Sequence, residues 1–301
     1  DALPISVEDK SDMIKVEMKD AYTVTEISKV DKESRECIAG AHLKLVDSEG
    51  NVVDEWLSED KPHEILRLKA GEQYELIETA PPDGYTTAEN VKFVVQDTPN
   101  VQEIIMEDSK TQIIIDKKDK EQGKALAGAH LKLVDEENNV IDEWISGEEG
   151  HCITMLVVGK TYILKETQPP EGYATAADIE IVVADTPKVQ QLSMSDGCTK
   201  LSFEKVDART KARISGAKMQ LKDKEGSVVA SWTSEEAQGY YIEKLGAGRE
   251  YTVEEVSAPE NYELMDAMTI TVADSSELQT FFLGDEPAAA EQKAFISPKT
   301  G

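Results

Sequence analysis

The chain has 301 residues, and 60 Asp and Glu outweigh 32 Lys and Arg to leave a formal net charge of −28 at pH 7. That balance excludes a nucleic-acid surface and docking on anionic lipid, both of which need clustered cations, and no apolar run approaches the length that spans a bilayer. It fits a self-repelling, soluble, extracellular surface; a disulfide scaffold is not expected, since the cysteines Cys37, Cys152 and Cys198 are odd in number and follow no repeat.

Residues 1–21 alternate like the closing strand of a repeat. Ile14, Val16, Met18 and Asp20 share a face, and Asp20 lies 88 residues before Asp108. They are expected to be the end of a preceding, truncated repeat in a longer parent protein. From residue 22 the chain repeats itself. Trp56, Trp144 and Trp232 are spaced by 88, as are Lys29, Lys117 and Lys205; Glu78 to Glu166 is 88 and Glu166 to Glu255 is 89. Three repeats follow, 22–109, 110–197 and 198–286, with 287–301 as a linker and terminal motif.

Within the first repeat, Ala41–Val46 alternates, Asp47–Asn51 turns and Val52–Leu57 alternates again; Tyr74–Glu78, a Pro-Pro-Asp-Gly turn, Val91–Val95 and Glu103–Glu107 come later. About seven strands per repeat, with no convincing helix, predict an all-β chain of antiparallel, Ig-like or prealbumin-like sandwiches in series. Gly84 and Gly172 supply a turn residue free to take positive φ, and Asn261 stands in for them in the third copy.

Period-2 reading places charges on buried faces. Tyr74, Leu76 and Glu78 share one face of a strand, as do Tyr162, Leu164 and Glu166, and Tyr251, Val253 and Glu255. An ionised Glu on such a face is costly unless paired or neutralised. Lys29 shares a face with Ile27, Lys117 with Ile113 and Ile115, and Lys205 with Leu201 and Phe203. Asp108 follows Ile104 and Met106, Asp196 follows Leu192 and Met194, and Asp285 follows Phe281 and Leu283. One such lysine could snorkel to water beside rim acids; recurrence of the same three residues in three repeats favours a buried Lys–Glu–Asp triad. Burial lowers a lysine pKa and raises a carboxyl pKa. A neutral amine can then attack the Asp carboxyl while Glu relays protons, giving a side-chain amide and water, with held geometry supplying effective molarity.

These residues resemble the B-type, SpaA-like or prealbumin-like repeat domains of Gram-positive surface adhesins and pilins. The likeness rests on Lys29-Val30-Asp31, Lys117-Lys118-Asp119 and Lys205-Val206-Asp207, on the Tyr…Glu-Thr…Pro-x-Gly-Tyr stretch, and on the closing-strand Asp. It is nearest to the Spy-type domain that has been split into a catcher and a peptide tag, whose tag strand Ile104-Ile-Met-Glu-Asp108 is similar to. The resemblance implies isopeptide bonds Lys29–Asp108, Lys117–Asp196 and Lys205–Asp285, with Glu78, Glu166 and Glu255 as catalysts. The third copy departs most, with Val256-Ser257 and Asn261 in place of Thr and Gly. Ser297-Pro-Lys-Thr-Gly301 resembles a sortase sorting motif, which implies attachment through Thr300 to peptidoglycan or a pilus subunit. No Tyr-Pro-Lys polymerisation motif is present, against a shaft-forming major pilin.

The expected role is a wall-anchored extracellular stalk; the alternative is a module that binds a host matrix ligand through its loops, which are poor in aromatics. A turnover enzyme is not expected, because the triad consumes itself once. Neither a cofactor nor a metal is expected: His42 and His130, and His63 and His151, are repeat equivalents rather than a cluster, and Asp47–Asn51 and Asp135–Asn139 lack full calcium-loop spacing.

Overall fold

The structure, a computed structural model, describes residues 21–288. Asp20 and Thr300, with the anticipated leading strand and terminal motif around them, lie outside the described residues.

The first repeat forms β1 (Val24–Asp31), β2 (His42–Asp47), β3 (Val52–Leu57), β4 (His63–Leu66), β5 (Gln73–Ala80), β6 (Val91–Val94) and β7 (Val101–Asp108). The second forms β8 (Gln112–Asp119), β9 (His130–Val134), β10 (Val140–Ile145), β11 (His151–Thr154), β12 (Thr161–Gln168), β13 (Ile179–Val182) and β14 (Gln190–Asp196). The third forms β15 (Lys200–Asp207), β16 (Lys218–Lys222), β17 (Val228–Thr233), β18 (Tyr240–Glu243), β19 (Glu250–Ser257), β20 (Met268–Thr271) and β21 (Leu278–Asp285). The four-residue β4, opening just after Pro62, is too short to announce itself by alternation.

Each domain sets a three-stranded sheet against a four-stranded one. In the first the orders are β4-β1-β7 and β3-β2-β5-β6, and the other two repeat them. The tight connections are closed by local acceptors. Asp47 Oδ1 accepts the backbone N–H of Glu49 and of Asn51, both at 2.9 Å, so this carboxylate is used to close its own turn. At the Pro-Pro-x-Gly turn, Gly84 and Gly172 adopt φ of 86° and 85°, and Asn261 takes 69° in the third domain.

One pairing departs from the antiparallel pattern. β1 and β7 run parallel, in register from Val24↔Val101 to Asp31↔Asp108. Parallel neighbours need a long crossover, and here the rest of the domain is that crossover, so its first and last strands end side by side. β8–β14 and β15–β21 do the same.

The inward-facing residues form a separate apolar core in each domain. Leu43, Leu45, Leu76 and Met106 fill the first, Leu131, Leu133, Leu164 and Met194 the second, and Met219, Leu221, Val253 and Leu283 the third. Each of these side chains contributes about 1.5–3 kcal/mol by burial, and together they exclude water from the charged groups lodged beside them.

Candidate functional site

Lys29 on β1 and Asp108 on β7 belong to the three-stranded sheet; Glu78 on β5 belongs to the other. Their strands alternate so that all three side chains turn into the space between the sheets. There Lys29 Nζ donates a hydrogen bond to Asp108 Oδ1 and lies 2.9 Å from Glu78 Oε1, with all three side chains at 1% exposure or less. In the second domain Lys117 contacts Asp196 directly and Glu166 Oε1 at 2.9 Å. In the third Lys205 contacts Asp285 directly and Glu255 Oε1 at 3.2 Å. Thus the nine internal residues singled out by period and spacing meet three by three.

The glutamate is anchored from behind. The backbone N–H of Ala88 donates to Glu78 Oε2 at 2.5 Å, and Ala176 and Met265 do the same for Glu166 and Glu255 at 2.7 Å. Its other oxygen is left facing lysine and aspartate. Burial, the largest cause, pushes the Asp108 and Asp196 carboxyls up to about 7 and Asp285 up to about 6; the lysine opposes this, and the like-charged glutamate adds to it.

One oxygen of each triad is underused. Glu78 Oε1 has the Lys29 amine beside it, but Asp108 Oδ2 is buried and accepts no hydrogen bond; Asp196 Oδ2 and Asp285 Oδ2 repeat this. An orphaned buried acceptor carries its full desolvation cost. Protonation of the aspartate, toward which its raised pKa moves it, lowers that cost. The arrangement therefore holds each lysine amine directly against an aspartate carboxyl that burial makes easier to protonate, with the glutamate 2.9–3.2 Å from the same amine.

Two further groups were missed by reading buried charges alone. Asp31 accepts a hydrogen bond from Tyr85 OH at 3.0 Å and lies 3.1 Å from Lys110 Nζ. Burial pushes Asp31 up, but the N–H of Ser34, Lys110, the N–H of Glu33 and Tyr85 OH outweigh it and hold it well below the usual carboxylate range. Asp119 with Tyr173, and Asp207 with Tyr262, form the same pair. Their 88- and 89-residue spacings carried the signal. Trp56 stacks on His63 with ring centroids 4.3 Å apart, His63 Nε2 lies 2.9 Å from Asp54, and Trp144, His151 and Asp142 repeat this. The histidines thus serve a stacking and hydrogen-bonding role beside the core.

Comparisons with known proteins bear on the fold. A family model described as the SpaA prealbumin-like fold domain matches residues 23–110, 111–197 and 199–286. Among solved structures, the chain is similar to the Bacillus anthracis TIE protein at 20% identity and a TM-score of 0.48, covering 88% of this chain and 51% of that one. It is also similar to a streptococcal ancillary pilin (16% identity, TM-score 0.36, 88% of this chain and 99% of that one). A third is BcpA, the major pilin subunit of Bacillus cereus (13% identity, TM-score 0.35, 89% of this chain and 100% of that one). The chain spans about half the length of the TIE protein. A search of curated proteins returned no match.

Proposed function

This chain belongs to the SpaA prealbumin-like fold family, with three of its domains in series, and from that premise we propose that it is the structural stalk of a Gram-positive surface protein or pilus, each domain locked by an autocatalytic Lys–Asp amide. The observation that carries the reading is the buried Lys–Glu–Asp triad, repeated in three domains with the same unpartnered aspartate oxygen.

The chemistry balances within each triad. Glu78 takes a proton from Lys29, leaving a neutral amine beside a protonated Asp108. Nζ attacks Cγ, which Glu78 polarises by donating to its oxygen. The tetrahedral intermediate passes a proton through Glu78 to the departing hydroxyl, the C–O bond breaks and water leaves. An Nζ–Cγ amide remains, with Glu78 protonated against its carbonyl. The reaction removes the costliest feature of the unreacted site, a carboxyl oxygen with no partner. It consumes its own lysine and aspartate, so it is a single event rather than turnover.

A crosslink across the 79 positions from Lys29 to Asp108 constrains the unfolded chain by about 4.5 kcal/mol in the loop-entropy estimate, less any strain. Its mechanical effect is larger. Tension entering β1 crosses to β7 through a covalent bond and bypasses the fold. Anchoring by sortase through Thr300, to peptidoglycan or a pilus subunit, completes the reading and rests on the terminal motif; it puts the chain outside the cell, on the wall.

Intact mass of the denatured, reduced protein tests the locks. The parent should be lighter than its sequence by three waters, and Glu78→Gln, Glu166→Gln and Glu255→Gln should each restore one. A parent at its full sequence mass overturns the proposal.

A further inference from the structure

The Asp–Tyr pair occurs in all three domains, but what lies on it differs each time. In the first domain the cation is Lys110, supplied by the segment just after β7. In the second, the position matching Lys110 is Cys198, and the cation comes from the following domain: Lys244 Nζ donates to Tyr173 OH at 2.7 Å, lies 4.8 Å from the ring centroid and stands 3.8 Å from Asp119. In the third, no cation is placed on Asp207 and Tyr262 among the described residues.

Around Lys244 the trailing end of the second domain and the leading end of the third fit closely. Thr199, fully buried, receives and gives on both sides: its N–H donates to Gly172 O at 3.0 Å, its hydroxyl to Leu245 O at 2.6 Å, and its carbonyl accepts Lys244 N–H at 3.0 Å. Asp274 accepts the N–H of Thr175 at 2.7 Å. Lys200 meets Glu121, and Arg249 meets Glu171, each at 2.8 Å. In a chain so acidic, the third domain thus presents Lys200, Lys244 and Arg249 to three acids of the second, a local match of opposite charge.

The approach is close enough to require glycine. A Cβ on Gly172 would sit 2.7 Å from the carbonyl oxygen of Lys244, and one on Gly197 would sit 2.5 Å from Ser276 Cβ. The matching positions at the trailing end of the third domain are Asn261 and Glu286. Asn261 keeps the turn, at φ 69°, but its side chain occupies the space a neighbour's backbone would need.

We propose that the second and third domains form one rigid body, locked by Lys244 docked on the Tyr173–Asp119 pair above a glycine seat at Gly172. The partner that this trailing face fits is a prealbumin-like domain with a cation at the Lys244 position and an acceptor at the Asp274 position. The trailing face of the third domain lacks the seat, so a further domain cannot dock there in the same pose. This joint is independent of whether the triads condense.

Amide residual dipolar couplings on the whole chain test the joint. Couplings from residues 111–286 should fit a single alignment tensor. Gly172→Asn, which copies the turn the third domain already tolerates, and Lys244→Met, which copies Met155 at the matching position, should each need two tensors, with each domain still fitting its own. A parent that already needs two tensors overturns the proposal, as does a single tensor in both variants.

Discussion

Pulling the chain from its ends with Glu166→Gln in the middle domain examines the load path. The amide keeps the shape of the native side chain but cannot relay protons, so under the proposed chemistry Lys117 and Asp196 should stay unjoined while the flanking domains form their locks. Force enters the middle domain along β8 and leaves along β14. These strands are parallel and in register from Ile113↔Gln190 to Asp119↔Asp196, so tension shears their whole ladder at once and the variant still resists before it yields. When it yields, the chain between Lys117 and Asp196, a separation of 79 positions, is released. At full extension of about 3.3–3.6 Å per residue, that is a step of about 260–285 Å. Single-molecule force spectroscopy should show one such step in the variant and none in the parent. A parent that unravels in steps of this length would refute the covalent load path. A variant with no step would refute the role given to Glu166.

Two other outcomes follow from the same groups. In Lys29→Met, Asp108 remains a free carboxyl, still raised by burial and by Glu78 and no longer opposed by lysine. The folded state then keeps a proton that the unfolded state has lost, so stability falls as pH rises above the ordinary Asp value of about 4, and without the lysine the fall continues past the value of about 7 that Asp108 has beside it. Melting temperatures between about pH 4 and 7 should fall more steeply than in the parent, where the proposed amide would consume Asp108; parallel curves count against a buried, raised Asp108. Tyr85→Phe removes the hydroxyl that donates to Asp31 at 3.0 Å. A hydrogen bond to a charged group is worth about 1.5–3 kcal/mol, and the urea midpoint of the first domain should drop accordingly, whereas an unchanged midpoint would mean that Lys110 and the N–H groups of Glu33 and Ser34 satisfy the carboxylate without the tyrosine.

Much of the site is legible in the sequence because two periods coincide. Alternation of side chains tells which face Lys29, Glu78 and Asp108 occupy, and the repeat shows that the same three residues recur. Strand direction is not encoded in alternation, which is the same for either sense of pairing. The parallel β1–β7 ladder, and with it the shear geometry, is therefore invisible there. Asp31 and Tyr85 stand out only as parts of motifs: Asp31 follows Lys29 by two, which suggests a shared face, but nothing local says that a tyrosine more than fifty residues later closes on it.

The sequence by itself determined the number of repeats, their sandwich class, and which nine charged residues face the cores, because spacing and alternation are properties of the chain alone. Only the tertiary structure decided that Lys29 touches Asp108 with Glu78 opposite, that a carboxyl oxygen is left without a partner, and that Gly172 is the floor beneath Lys244. These are distances between segments remote in sequence. They exist only once two sheets have closed over an apolar interior, which also raises the aspartate pKa.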